Sequence, residues 1–333
     1  MKLRSIIVLF FLVIILSIDC TKGKKSNVID IAVFQIVDYD LIANMRKAFN
    51  DEILNSEFAL NNKIEILPYK DAHNDVNLTN QIADQIIAEK PELIYVLGTP
   101  AAQALVQRTS TIPIVQGAVT DPVAAKMSAS WEGSGRNYAA STDYPPVKAA
   151  FRLLKIILPN VKRIGAVYNS GEDNSVALMK RVRPVLDSLG YSLVERPVTG
   201  TAEVPTSTTA LIGKADLIYV TTDNTVIAAL PSLLQIARDN KLPVMVSTKE
   251  DVEKGALFAL GASYDELSRI AARIAIRILK GENPANIPIA FAENPYLYWN
   301  YGTAKELGIG LDDSVKVMVH TWIENGKEIP RPY

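Results

Sequence analysis

Leu93-Ile94-Tyr95-Val96 runs into Gly98-Thr99-Pro100-Ala101, then a helical stretch, then Ile112-Pro113-Ile114-Val115. Leu217-Ile218-Tyr219-Val220 runs into Thr221-Thr222-Asp223-Asn224, another helical stretch, and Leu242-Pro243-Val244-Met245. Each stretch reads as a buried strand, a polar loop, a helix and a second strand, which is half of a βαβ unit. A second pair of markers repeats at a similar offset, because the opening strand Val28 to Phe34 is matched by Arg163 to Val167. Two markers in the same order at similar spacing predict two similar lobes. The expected fold is α/β: two Rossmann-like lobes, each a parallel sheet flanked by helices, hinged around a central cleft. In open α/β sheets ligands sit at the carboxyl ends of the strands, so the polar loops should face that cleft.

Working outward, the expected boundaries are lobe one over 28–146, lobe two over 147–284, and a C-terminal return segment, 285–333, part of which completes lobe one. The chain of 333 residues is long enough for two domains, and its formal net charge is −1. That balance leaves no basic footprint for nucleic acid. Two histidines and one cysteine exclude a disulfide within the chain and argue against a Cys/His metal site. No metal and no cofactor is expected.

The first twenty residues differ in kind. Lys2 and Arg4 precede an unbroken apolar run from Ile6 to Leu16, followed by Ser17-Ile18-Asp19-Cys20. This is the layout of an export signal, too short for a comfortable transmembrane span. Residues 1–20 are expected to be a signal or lipoprotein peptide with lipidation at Cys20, and 21–27 a tether. Asp19 and Ser17 are unusual neighbours for a lipidated cysteine. The folded part is expected outside the cytoplasm, held on the bacterial cell membrane.

Polar residues recur at predicted strand ends. Thr99 suits a helix N-cap and Pro100 the first turn, so the free N–H groups there suit a carboxylate, although Thr99 could simply cap its helix. Asp223 holds the matching place in the second copy, where it could cap a helix, meet a ligand ammonium, or both. One wall would then suit an anion and the other a cation, which fits a zwitterionic amino acid. Gln35, Tyr39, Thr120, Asp121, Asp143, Tyr168 and Asn169 also sit at or beside strand ends, each with ordinary turn or packing chemistry as the alternative. No Gly-x-Gly-x-x-Gly follows the first strand, and no Gly-x-Ser-x-Gly elbow or P-loop occurs. An enzyme is not expected.

Thr99-Pro100-Ala101-Ala102-Gln103, Val119-Thr120-Asp121-Pro122-Val123, Tyr168-Asn169 with Asn174-Ser175, Thr222-Asp223-Asn224-Thr225, and Gly255-Ala256-Leu257 through Gly261 form an ordered set. With that set the chain resembles the substrate-binding proteins of ABC importers in the tryptophan/tyrosine group, of type I periplasmic-binding-protein architecture. The resemblance spans about Val28 to Ile289. It implies capture of a small molecule, most readily an amino acid and possibly an aromatic one, between two closing lobes, and delivery to an ABC permease. It also implies that Thr99, Ala101, Asn169, Ser175 and Asp223 border the ligand; Asn174 and Asn224 complete the expected ligand-binding set. The chain departs from the family in the loop Asp38-Tyr39-Asp40-Leu41-Ile42, where His-Pro is common, and in Ser268, where Gly is common. An extracytoplasmic sensor that presents its closed form to a membrane receptor is the alternative reading.

Overall fold

Apolar strands build two sheets, one per lobe, in a computed structural model that describes residues 28–292 and 295–332. The export segment, Cys20 and the tether lie outside the described residues. The first sheet runs, edge to edge, Ala290–Phe291, Tyr138–Thr142, Ile114–Val119, Leu93–Leu97, Val28–Gln35 and Lys63–Ile66, and Lys70–Asp71 pairs with the end of Val28–Gln35. All of its pairings are parallel. The second runs Lys327–Ile329, Val319–Glu324, Tyr296–Asn300, Phe258–Gly261, Val244–Val246, Leu217–Val220, Arg163–Asn169 and Ser192–Val198. The last five of these are mutually parallel, and Tyr296–Asn300 joins them antiparallel.

Strand alternation decides what packs where. Ile31 and Val33 face the helix Asp40–Leu54, while Ala32 and Phe34 face the helices Val76–Glu89 and Thr99–Val106. In the second sheet Ile164, Ala166 and Tyr168 face the helices Val147–Ile157 and Asp173–Leu189, and Val167 faces the opposite layer. Phe34, Phe49 and Phe151 are fully buried, each a burial that stabilises by about 1.5–3 kcal/mol. The repeated half-units appear as geometry, with one difference. Thr99–Val106 is continuous, whereas its counterpart is split at Ala229 into Asn224–Ala228 and Leu230–Asp239. Pro231 in the first turn of the second piece has no N–H for the ladder of a single continuous helix.

The chain crosses between lobes three times: after Thr142, between Gly261 and Tyr264, and between Phe291 and Tyr296. This corrects the expected boundaries. The helix Tyr264–Leu279, expected in lobe two, packs on Asp40–Leu54 in lobe one. Its Ala271, Ala272 and Ala275 form a small-residue stripe that lets it lie close against that helix. Of the return segment, Ala290–Phe291 joins the first sheet, but the three strands from Tyr296 onward extend the second. Leu297, Trp299 and Trp322 bury themselves in the lobe-two core, which holds the tail there.

Candidate functional site

Gly98 ends the strand Leu93–Leu97 with φ +96°, and a Cβ there would lie 2.3 Å from Cγ2 of Ile36. Only glycine combines that conformation with that approach. The turn starts the helix Thr99–Val106 at the edge of the gap between lobes, where Gly98 and Thr99 form wall. Next to it, the register of Ile114–Val119 slips between Gln116 and Val119, and Ala118 takes φ +54°. The bulge bends the strand end so that Gly117 and Ala118 form wall.

Across the gap, Asp223 caps Asn224–Ala228. Its Oδ1 accepts from Val226 N at 2.8 Å, and its Oδ2 accepts from Asn169 N at 2.5 Å and Ser175 Oγ at 2.7 Å. Burial, then the charge of Glu172, holds its carboxyl above the usual range. Glu172, which sequence reading passed over, is buried and accepts from Asn224 N at 3.2 Å, Asn224 Nδ2 at 2.7 Å, Thr225 N at 3.1 Å and Thr225 Oγ1 at 2.7 Å. Two carboxylates thus share one helix start, which suits its positive end. The signal for Glu172 was its place three residues after Asn169, in the loop that opens Asp173–Leu189.

Asp143 follows the strand Tyr138–Thr142 at the first crossing. Its Oδ2 accepts from Tyr264 Oη at 2.5 Å, and its Oδ1 is buried without a hydrogen-bond partner. Burial pushes its carboxyl up to about 6, and the Tyr264 hydroxyl only partly opposes that.

These pieces line a cavity of about 50 Å³ between the lobes. Lobe one supplies Tyr39, Leu41, Ile42, Met45, Gly98, Thr99, Thr120 and Asp143; lobe two supplies Asn174, Thr221, Asp223, Asn224, Ser247 and Asp251. The lobes meet around it. Thr120 and Thr222 hydroxyls lie 2.8 Å apart, Asn74 Nδ2 donates to Thr225 Oγ1 at 3.0 Å, and Gln103 Nε2 donates to Asp173 Oδ2 at 2.7 Å.

Of the expected residues, Tyr39, Thr99, Thr120, Asp143, Asn174, Asp223 and Asn224 line this cavity. Asn169 lines a second, more open groove between the lobes. The others lie elsewhere. Gln35 is buried beneath Asp40–Leu54, where Arg46 Nη1 donates to its Oε1. Ala101 is buried in the lobe-one core. Asp121 accepts from Val123 N at 3.1 Å and Ala124 N at 2.9 Å, as a turn residue. Tyr168 points into the lobe-two core and its hydroxyl accepts from Arg183 at 3.2 Å. Ser175 stands behind Asp223 and donates to it. For Gln35 and Tyr168 the reason is strand alternation: adjacent residues at a strand end face opposite sides, and sequence places the strand end but not the side. Missed wall residues include Leu41, Ile42 and Met45, whose helical spacing reads equally as core.

A model of the family described as ABC transporter substrate binding protein matches residues 30–322. A tyrosine-binding protein of Clostridioides difficile (strain R20291) is 32% identical over 287 residues, covering 86% of this chain and 82% of that one. Among solved structures, the ABC domain in complex with L-Trp from Streptococcus pneumonia is similar at TM-score 0.83 and 26% identity, covering 88% of this chain and 99% of that one. A ligand-free, open substrate-binding protein with adhesive properties from Clostridium difficile is similar at TM-score 0.67 and 32% identity, covering 89% and 99%.

Proposed function

This chain belongs to the family of ABC transporter substrate-binding proteins, and from that premise we propose that it captures one free amino acid, aromatic by preference, by closing its lobes on it. The family consists of extracytoplasmic solute binders that serve an ABC permease, and not of enzymes. The observation that carries the reading is the pair of facing walls: residues of both lobes meet there, with an apolar side at Leu41, Ile42 and Met45, and a polar side at Asp143, Asn174 and Thr221. An aromatic amino acid has the same two-sided character. The relatives named for tyrosine and crystallised with L-Trp support the choice of class. The likeness to a ligand complex at 26% identity exceeds that to an open form at 32%, which supports a closed arrangement of these lobes. A ligand that contacts both walls stabilises closure by the contacts only the closed form makes.

In this reading Thr99 and its neighbouring N–H groups receive the carboxylate, and Tyr39, Thr120, Asn224 and Asp223 shape the remaining wall. Cys20 carries the lipid that holds the protein at the membrane; mass spectrometry of the mature N-terminus tests this, and an unmodified start elsewhere refutes it.

Thermal melts of the purified protein with each of the twenty amino acids test the function. A ligand at a hundredfold excess over its Kd adds about 2.7 kcal/mol. Tyrosine or tryptophan is expected to raise the melting temperature, and a flat response to all twenty refutes the proposal.

A further inference from the structure

Val28 pairs with Lys63 at the amino end of the first sheet, the end away from the cleft. Between Cys20 and Val28 stand only seven residues, Thr21-Lys22-Gly23-Lys24-Lys25-Ser26-Asn27. Whatever path they take, that much chain reaches at most about 28 Å. A Cys20 held at a bilayer therefore keeps Val28 within that distance of the membrane. Lys63, one ladder step across at roughly 5 Å, is held there too.

The segment that leads into Lys63 is apolar where it is exposed. The helix Asp40–Leu54 ends, Ser56 caps the short helix Glu57–Asn61, and Lys63 opens the next strand. Leu54 is 46% exposed and Leu60 83%, the highest value among the exposed large apolar side chains. Phe58, between them in sequence, is half-buried, and Lys280 Nζ lies 5.9 Å from its ring centroid. Single exposed leucines are ordinary on any surface, but these two stand beside the one point that a membrane tether holds in place. Val317 is nearly as exposed, at 68%, but precedes the strand Val319–Glu324 in the second sheet, far along the chain from the tether. Charge at the lobe-one end is balanced, with Glu57, Glu65 and Glu92 against Lys63, Lys90 and Lys280, so the apolar side chains carry the contact. Lys22, Lys24 and Lys25 add three positive charges between this end and Cys20, which suits anionic headgroups.

We propose that Leu54 and Leu60 seat in the headgroup region of an anionic bilayer and make this end of lobe one the foot on which the anchored protein stands. The proposal rests on the anchoring at Cys20 given above and deepens it, because it gives the tether an orientation as well as a length. The strand Val28–Gln35 rises about 3.3 Å per residue, so its cleft end stands roughly 25 Å farther from the bilayer, open to the solution that carries the ligand.

Tryptophan fluorescence of the bilayer-coupled protein tests the foot. The protein from Cys20 onward is joined through its single cysteine to a maleimide lipid. The vesicles are phosphatidylethanolamine and phosphatidylglycerol, with or without bromine on the acyl chains near the headgroup. Coupling fixes the anchor chemically, so the readout is independent of lipidation in the cell, which mass spectrometry reads separately. Wild type supplies the baseline from Trp131, Trp299 and Trp322. Leu60→Trp is expected to add emission that shifts to the blue on coupling and is quenched about twofold by the brominated lipid. Val317→Trp is expected to add emission that is not quenched. Leu54→Glu introduced beside Leu60→Trp is expected to remove most of the quenching. Equal quenching at both positions, or none in Leu60→Trp, overturns the foot and leaves the anchor standing. A blue shift in Leu60→Trp that grows with protein concentration without vesicles assigns the face to a second copy and also overturns it. A mature N-terminus elsewhere removes the anchor and the foot together.

Discussion

The Tyr264 hydroxyl donates to Asp143 at 2.5 Å, and this bond ties the first crossing between the lobes to the second. Asp143 directly follows the strand Tyr138–Thr142, and Tyr264 opens the helix Tyr264–Leu279. Both residues line the cavity. The same carboxylate therefore anchors the crossing through one oxygen, while its other oxygen is buried without a partner. Tyr264→Phe removes that anchor from a buried carboxylate. The expected loss is about 1–3 kcal/mol of stability, read as a lower melting temperature of the ligand-free protein. An unchanged melting temperature would show that the bond does not hold the crossings together.

Closure should be tunable at the rim. Asn74 donates across the gap to Thr225, which also donates to Glu172 and accepts from Asn169 Nδ2 at 2.8 Å. Asn74 and His73 both hold positive φ, which turns the loop toward the other lobe. Asn74→Ala removes a bond that exists only when the lobes meet. One such bond contributes about 0.5–1.5 kcal/mol, so ligand release should quicken about three- to tenfold. Stopped-flow dissociation measures this; an unchanged off-rate would remove Asn74 from the closing contacts.

Acid should pull stability and affinity in opposite directions. Burial raises Asp143 to about 6 and Glu250 to about 7, and it raises Asp223 as well. A carboxyl whose folded pKa exceeds its unfolded value binds more protons when folded, so the ligand-free protein should lose stability as pH rises through 6–7. Its melting temperature is expected to be higher at pH 5 than at pH 8. Affinity for an ammonium-bearing ligand should move the other way, weakening below about pH 6 as the wall loses the charge of Asp143. Melts and calorimetry over pH 5–8 check both signs, and a melting temperature that falls on acidification contradicts the first.

The repeat was legible because buried parallel strands are apolar runs, and Leu93–Leu97 and Leu217–Val220 announce themselves. Asp223 was legible as a cap, because local chemistry fixes it, whereas the cap expected at Thr99 falls on Gly98 and Thr99 is already the first helical residue. Two things were not legible. The role of Tyr264 depends on a contact 121 residues away in sequence, which no local pattern carries. The destination of Tyr264–Leu279 was hidden because its amphipathic face suits either lobe, and only the crossing at Gly261 to Ser263 decides which. Gln35 and Tyr168 failed as site residues for a simpler reason. Each sits at a strand end as expected, but its side chain faces the packed layer of helices.

Gly261 closes the strand Phe258–Gly261 at the start of the second crossing. A Cβ added there would lie 2.1 Å from the backbone oxygen of Ser247, and backbone cannot swing aside as a flexible side chain does. Ser247 itself forms cavity wall, so the displacement would pass directly into the site. Gly261→Ala is therefore expected to lower the melting temperature through overpacking of about 1–3 kcal/mol and to weaken ligand binding as well. Gly190→Ala is the control: it ends Asp173–Leu189 at φ +77° with nothing within 4 Å of the added carbon. That variant should lose only about 1 kcal/mol to backbone conformation and bind ligand normally. Calorimetry on both variants separates the two effects: normal affinity in folded Gly261→Ala would show that Ser247 can shift without disturbing the cavity, whereas weakened affinity there and not in Gly190→Ala ties the crossing to the site.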